Sequence, residues 1–110
     1  MRREVDKYLY DVLTACDAIR QFTADKALKD YQSNLMLRSA VERQLMIVGE
    51  ALNQAFHIQP DLSKQISEVR EIINLRNIIV HGYAVVENET IWGIVTDEVP
   101  ALIKQVSKLI

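Results

Sequence analysis

Arg76 and His81 stand five residues apart in the stretch Leu75-Arg76-Asn77-Ile78-Ile79-Val80-His81-Gly82-Tyr83. Both side chains are of kinds that handle phosphate esters. An arginine stays protonated and can grip two phosphate oxygens at once. A histidine with an ordinary pKa of about 6.5 can take up or release a proton near neutrality. Together they offer a cation for a phosphate ester and a group for proton transfer. A purely structural reading of the same residues stays open. An arginine among Ile72, Ile73, Ile79 and Val80 can be an ion-paired core residue. A histidine beside a glycine can simply end a helix, because the last carbonyls favour a cationic side chain.

The residues around the pair predict a helix to carry it. Ile66, Val69, Ile73 and Val80 form one stripe, with Ile72, Leu75 and Ile79 alongside. This third helix is expected to begin between Asp61 and Lys64 and to end at Gly82 as a C′ residue. On it Asn77 and His81, four apart, share a face. Arg76 and His81 lie about 140° apart around the axis, at roughly 100° per residue. On a straight helix they do not touch. Convergence needs the arginine to curl back, or residues from a second chain.

The rest of the chain reads as partner helices. Tyr8, Leu9, Val12, Leu13, Cys16, Ile19 and Phe22 mark a first helix over roughly 4–23. A turn and a short helical piece are expected between Thr23 and Tyr31. Ser33 or Asp30 is the expected cap of the second helix. That helix has one stripe of Leu37, Val41, Leu45, Val48, Leu52 and Ala55, and a second of Met36, Ala40, Ile47 and Ala51. So wide an apolar surface predicts burial on more than one side, the second against a partner subunit. Gly49 interrupts this helix at a cost of roughly 1 kcal/mol, and its expected use is close approach of another helix. Glu50 could then orient Arg76 or His81, with an ordinary buried ion pair as the alternative. His57 to Asp61 is a predicted loop, since Pro60 resists a helical residue before it. Ile91, Ile94 and Val95 open a fourth helix. Asp97 is the expected cap of a last segment with Pro100 in its first turn, after a kink or break near 96–98. The expected fold is all-α, an up-and-down bundle of four or five helices forming a single domain over 1–110.

Composition agrees with that fold and narrows the function. The chain has 49% apolar and 25% charged residues, with Gly 3 and Pro 2, too few breakers for a sheet of tight turns. A net charge of −2 gives no global attraction for nucleic acid, so any RNA contact must come from a local basic cluster. Arg38, Arg43 and Arg70 are solvated surface charges by default, with phosphate contacts as their other reading. The lone Cys16 is expected to be a buried thiol. Two histidines and one cysteine are too few for a structural zinc site, and His57 is expected to be exposed at a helix end. Trp92 is expected to anchor the core or a dimer seam. No apolar run approaches the roughly 20 residues of a membrane span. The charged start of the chain has no signal core, and a cytoplasmic protein is expected.

The segment Arg76 to Tyr83 resembles the R-x4-H-x-Y motif of HepT-like proteins, a branch of the HEPN superfamily. Ala40-Val41-Glu42-Arg43-Gln44-Leu45 through Val48-Gly49-Glu50-Ala51 resembles that family's second-helix signature. Ile91-Trp92-Gly93-Ile94-Val95 through Glu98-Val99-Pro100-Ala101-Leu102 resembles its last helices. The likeness runs over nearly the whole chain and is clearest over 38–109. R-x4-H alone would be weak; three blocks in order with His-Gly-Tyr intact are specific.

The resemblance implies a helical-bundle toxin that acts as a metal-independent endoribonuclease, needs no cofactor, and works as a homodimer whose two motifs line one cleft. It implies a type VII-like toxin–antitoxin pair with a minimal nucleotidyltransferase as antitoxin. Arg76 and His81 become catalytic candidates and Asn77 their polar companion. Tyr83 becomes the acceptor of an adenylyl group that silences the toxin. The alternative is a non-catalytic HEPN module that only binds the nucleotidyltransferase.

Overall fold

The computed structural model describes residues 3–66, 69–81 and 87–110, without the side chains of Arg3, Val80 and His81. Helix α1 spans Arg3–Thr23. Its steps of three and four put Val5, Leu9, Val12, Cys16 and Ile19 on one sealed face. Burial pushes the Cys16 thiol up from 9.0 to about 12. A tight turn follows, with Asp25 at φ 60, a left-handed position that a short polar side chain tolerates.

Helix α2 is the expected short piece, Leu28–Ser33. Asp30 serves this helix, accepting from the Ala27 N–H at 2.8 Å. The cap of α3, Leu35–Ile58, is therefore neither Asp30 nor Ser33. It is Asn34, whose Oδ1 accepts from the Leu37 N–H at 3.0 Å. A single residue joins the two helices, so the joining residue itself must do the capping. On α3 the first apolar stripe, Leu37 to Ala55, is buried throughout. The second is divided: Ala51 is buried, Ile47 is half-buried, and Met36 stands 80% exposed.

The third helix starts later than its apolar spacing suggested. Pro60–Lys64 is a 3-10 turn, and α4 runs Arg70–His81. Pro60 suits the opening of that turn, and buried Leu62 pins it. Ile66 and Val69 are buried although they precede the helix, so core spacing extends beyond the regular backbone. Gly82, expected to end α4, lies outside the described residues, as does most of the predicted loop from Tyr83.

Helix α5, Asn88–Gly93, passes into a π-helical turn at Ile94–Glu98 and then into α6, Val99–Ser107. A kink or break was expected near 96–98, with Asp97 as the cap of a new segment. Instead Glu98 and Val99 keep helical dihedrals, φ −83 ψ −39 and φ −59 ψ −47. The continuous backbone bonds the N–H groups that a cap would serve, so Asp97 caps nothing. The extra residue of the π turn rotates the following face. Ile91, Ile94 and Val95 before it and Val99, Leu102 and Val106 after it all stay buried. Thr96 Oγ1 donates back to the Trp92 carbonyl at 3.0 Å, inside the wider turn. Pro100 sits in the first turn of α6, as expected.

Helix α3 is the centre of this all-α bundle. It packs against α1 along one side and α4 along another; α6 closes on α1, and α2 links α3 to α5. Trp92 anchors the core, its ring 5.5 Å from buried Tyr31. The molecule measures 42 × 31 × 19 Å, two helices thick at its thinnest. Among the described residues there is no strand, and no helix is long and apolar enough to cross a membrane.

Candidate functional site

Helix α4 lies against α3, and its Ile72 and Leu75 are buried. At Gly49 the approach is closer than any side chain allows. A Cβ on Gly49 would stand 2.7 Å from Cβ and 3.1 Å from Cγ of Arg76, and 3.4 Å from the Ile72 carbonyl oxygen. The arginine stem crosses α3 where α3 has no side chain. This is the close approach that the mid-helix glycine predicted, and the helix it admits is the one carrying the Arg–His motif.

Crossing at Gly49 delivers the Arg76 head to the next residue of α3. Its Nη2 pairs with Glu50 Oε2 at 2.5 Å. Its Nη1 donates to Asn77 Oδ1 at 2.9 Å. Glu50 Oε1 in turn accepts from Gln54 Nε2 at 3.2 Å, one turn along α3. The pair is partly open, with Arg76 25% and Glu50 46% exposed. Ion pairs that solvent reaches are worth at most about 1 kcal/mol. Its main effect is therefore orientation. A guanidinium has five N–H groups; these two contacts engage one on each terminal nitrogen and leave the rest for a ligand.

The structure thus brings together three of the sequence-predicted residues, Arg76, Asn77 and Glu50. His81 is the last residue of α4, about 7.5 Å further along the axis at 1.5 Å per residue. Its side chain and all of Tyr83 lie outside the described residues. His57 is exposed in the last turn of α3, as expected. Among the described residues no group of three His, Cys, Asp or Glu side chains is placed to hold a metal ion.

Arg76 also lines an open groove of about 270 Å³. Helix α1 supplies Tyr8 and Asp11 to it. Helix α3 supplies Met46, Ile47 and Ala51, and the charged Arg43 and Glu50. Asp11 is tied to Lys7 by an ion pair at 3.0 Å, and the Lys7 ammonium sits 4.9 Å from the centre of the Tyr8 ring. Of the three arginines held as surface charges, Arg43 is the one on this groove. Arg38 instead donates to the Gln32 carbonyl at 2.6 Å, closing α2, and Arg70 is exposed at the start of α4. Sequence reasoning missed Tyr8 and Asp11. Tyr8 reads as one more member of an apolar stripe, and nothing local links α1 to Arg76.

A family model described as Ribonuclease HepT-like matches residues 12–109. The chain belongs to this family. Among similar proteins, "Putative RNase MJ1380" of Methanocaldococcus jannaschii is 35% identical over 96% of this chain and 95% of its own length. "Probable ribonuclease HepT" of Thermococcus cleftensis is 30% identical over 99% of this chain and 98% of its own. "Putative RNase TTE0752" of Caldanaerobacter subterraneus subsp. tengcongensis is 28% identical over 94% and 91%. No solved structure matches. Every residue of the HepT-like motif, Arg76 to Tyr83, falls within the matched span. So do Gly49 and Glu50, whereas Tyr8 and Asp11 precede it.

Proposed function

We propose that this HepT-like chain is a metal-independent RNA endonuclease that works as a homodimer. The observation that carries the reading is the mounting of Arg76. A glycine on α3 admits its stem, Glu50 and Asn77 fix its head, and donors remain toward an open groove. A fixed cation with spare N–H groups suits a phosphodiester, and the histidine five residues on suits proton transfer.

In the reaction, one His81 takes the proton of a ribose 2′-OH. The oxygen attacks phosphorus while Arg76 stabilises the phosphorane charge. The bond to the 5′ oxygen breaks, and that oxygen takes a proton from a second imidazole. The products are a 2′,3′-cyclic phosphate and a 5′-hydroxyl. One motif holds one histidine, so a twofold pair of chains supplies base and acid. Purified Arg76→Ala and His81→Ala variants in EDTA are expected to cleave RNA at least about 10³-fold more slowly than the parent. Cleavage at the parental rate by either would remove that residue from the reaction.

The biological reading follows the family resemblance. The chain is the toxin of a type VII-like pair, its antitoxin a minimal nucleotidyltransferase that adenylylates Tyr83. A bulky anionic group two residues from His81 would block a phosphate cleft. Inducing the chain alone should arrest growth. Co-expression with the nucleotidyltransferase should relieve the arrest and add one or more adenylyl masses to a Tyr83 peptide. An unmodified Tyr83 in rescued cells would exclude this control.

One observation favours the binding-module alternative. Glu50 already compensates the Arg76 charge, as it would for a structural arginine. On that reading Arg76→Ala alters stability or partner capture and no RNA cleavage is lost.

A further inference from the structure

The groove that Arg76 helps to line has features that a phosphate grip alone does not need. We infer that it seats a nucleobase of the RNA next to the bound phosphate, and that it prefers guanine. The inference rests on the ribonuclease reading and adds the residues that choose where the cut falls.

Size sets the first limit. About 270 Å³ is just below the range of roughly 300–1,000 Å³ for whole small-molecule sites. It suits one base rather than a helix or a folded segment. Sequence-specific proteins read RNA in this way, by taking single unstacked bases onto aromatic rings and bonding their edges. Met46, Ile47 and Ala51 give the groove an apolar surface, and Tyr8 gives it a ring. Lys7 stands over that ring, and a base would stack on the part of the ring that lines the groove. Stacking on a single aromatic is typically sequence-tolerant, so discrimination must come from the polar groups.

Those groups are of both signs. Asp11 bonds Lys7 through Oδ2, and among the described residues no second side chain holds it. Arg43 is exposed and pairs with no carboxylate among the described residues. Guanine offers adjacent N1–H and N2–H donors on one edge and O6 and N7 acceptors on another. A carboxylate matches the first edge, and a guanidinium matches the second. Uracil presents one ring N–H between two carbonyls and would turn acceptors toward Asp11. Charge also orients the ligand: Arg76 holds the phosphate, which leaves the base to the other lining residues, Tyr8 and Asp11 among them. Both α1 residues lie before the family-matched span.

Mononucleotides test this apart from catalysis, since they contain no bond to cut. The full chain, with methyl and amide NMR signals assigned, is titrated with guanosine 3′-monophosphate, uridine 3′-monophosphate and inorganic phosphate. Guanosine monophosphate should move the Met46 and Ile47 methyl signals and bind at least 5-fold tighter than the uridine nucleotide. Phosphate alone should move signals around Arg76 and leave those methyls still. Asp11→Asn, a change on the groove rim, should cut the guanine preference below 2-fold with the phosphate response intact. Tyr8→Leu, which keeps apolar volume, should weaken both nucleotides about 10-fold. Equal affinity for all three ligands overturns the inference, as does an unchanged preference in Asp11→Asn. It also fails if the Met46 and Ile47 signals follow protein concentration instead of nucleotide, which would make the groove an interface between copies. A chain that cuts RNA through Arg76 and His81 yet seats no guanosine loses this subsite alone. A chain that seats guanosine but cuts equally well without those side chains loses the ribonuclease site instead.

Discussion

Helix α3 has two seams, and they are built on opposite principles. Against α1 it is sealed by large apolar side chains; Leu9, Val12, Ile19, Val41, Leu45 and Val48 are all fully buried. Against α4, whose Ile72 and Leu75 are buried, a glycine of α3 faces an arginine. The first seam gains stability from area removed from water. The second sacrifices helix propensity at Gly49 and side-chain volume to hold a charged group at a defined position. Both seams belong to one helix, so stability and placement can be altered separately.

The largest effect is expected at the sealed seam. Leu45→Ala leaves a cavity among fully buried neighbours and should cost about 2–5 kcal/mol, read by urea denaturation. RNA cleavage by the fraction that remains folded should be close to parental, because Leu45 does not line the groove. A loss of cleavage larger than the loss of folded protein would show that the two seams are coupled.

Gly49→Ala tests the open seam. The added methyl meets the Arg76 Cβ, an atom fixed to the backbone, so α4 must shift. Overpacking of this kind costs about 1–3 kcal/mol, offset by about 1 kcal/mol of recovered helix propensity. The net loss of stability should be smaller than for Leu45→Ala, while cleavage falls at least about 10-fold from displacement of the guanidinium. Unchanged cleavage would mean that the crossing at Gly49 does not position Arg76.

Glu50→Gln keeps the shape and removes the charge. An ion pair this exposed should cost at most about 1 kcal/mol of stability. The turnover number should fall more than KM changes if Glu50 orients Arg76. If Glu50 only neutralises it, KM should drop as Arg76 is freed for phosphate.

The smallest effect is at Cys16, within the sealed side. Its thiol pKa is raised in the fold, from 9.0 to about 12, by burial. The unfolded thiol ionises first, so its contribution is complete below pH 9 and is lost as pH rises from 9 toward 12. Tyr31 is raised by burial and by Glu42, and acts in the same direction. The parent should therefore lose stability between pH 9 and 10.5 more steeply than Cys16→Ala. Alkylation of Cys16 at pH 8 should be slow in the native state and fast in urea.

Much of this molecule was legible in the order of its residues. Helical periodicity located α1, the buried face of α3 and the core positions of α4 to α6, because burial follows the 3.6-residue repeat whatever the detailed backbone. Gly49 announced a close helix approach, because a mid-helix glycine costs helix propensity and leaves room for a neighbour. The His-Gly-Tyr motif and its flanking blocks pointed to the HepT-like family. Helix ends were less legible. Asn34 was passed over as a cap, α4 was begun too early, and the π turn was read only as a kink or break of unstated kind. In each case several polar residues or continuous apolar spacing fitted more than one backbone path.

What only tertiary structure decided is which residues share a site. Sequence spacing placed Arg76 away from His81 around their helix, and left its partner as either of two alternatives. Packing of α4 across Gly49 selected Glu50, and the neighbouring α1 brought Tyr8 and Asp11 to the same groove. Periodicity records that a face is buried, because water exclusion is non-directional. It carries no information on which helix does the burying, since that depends on distances and angles among the helices once they are packed together.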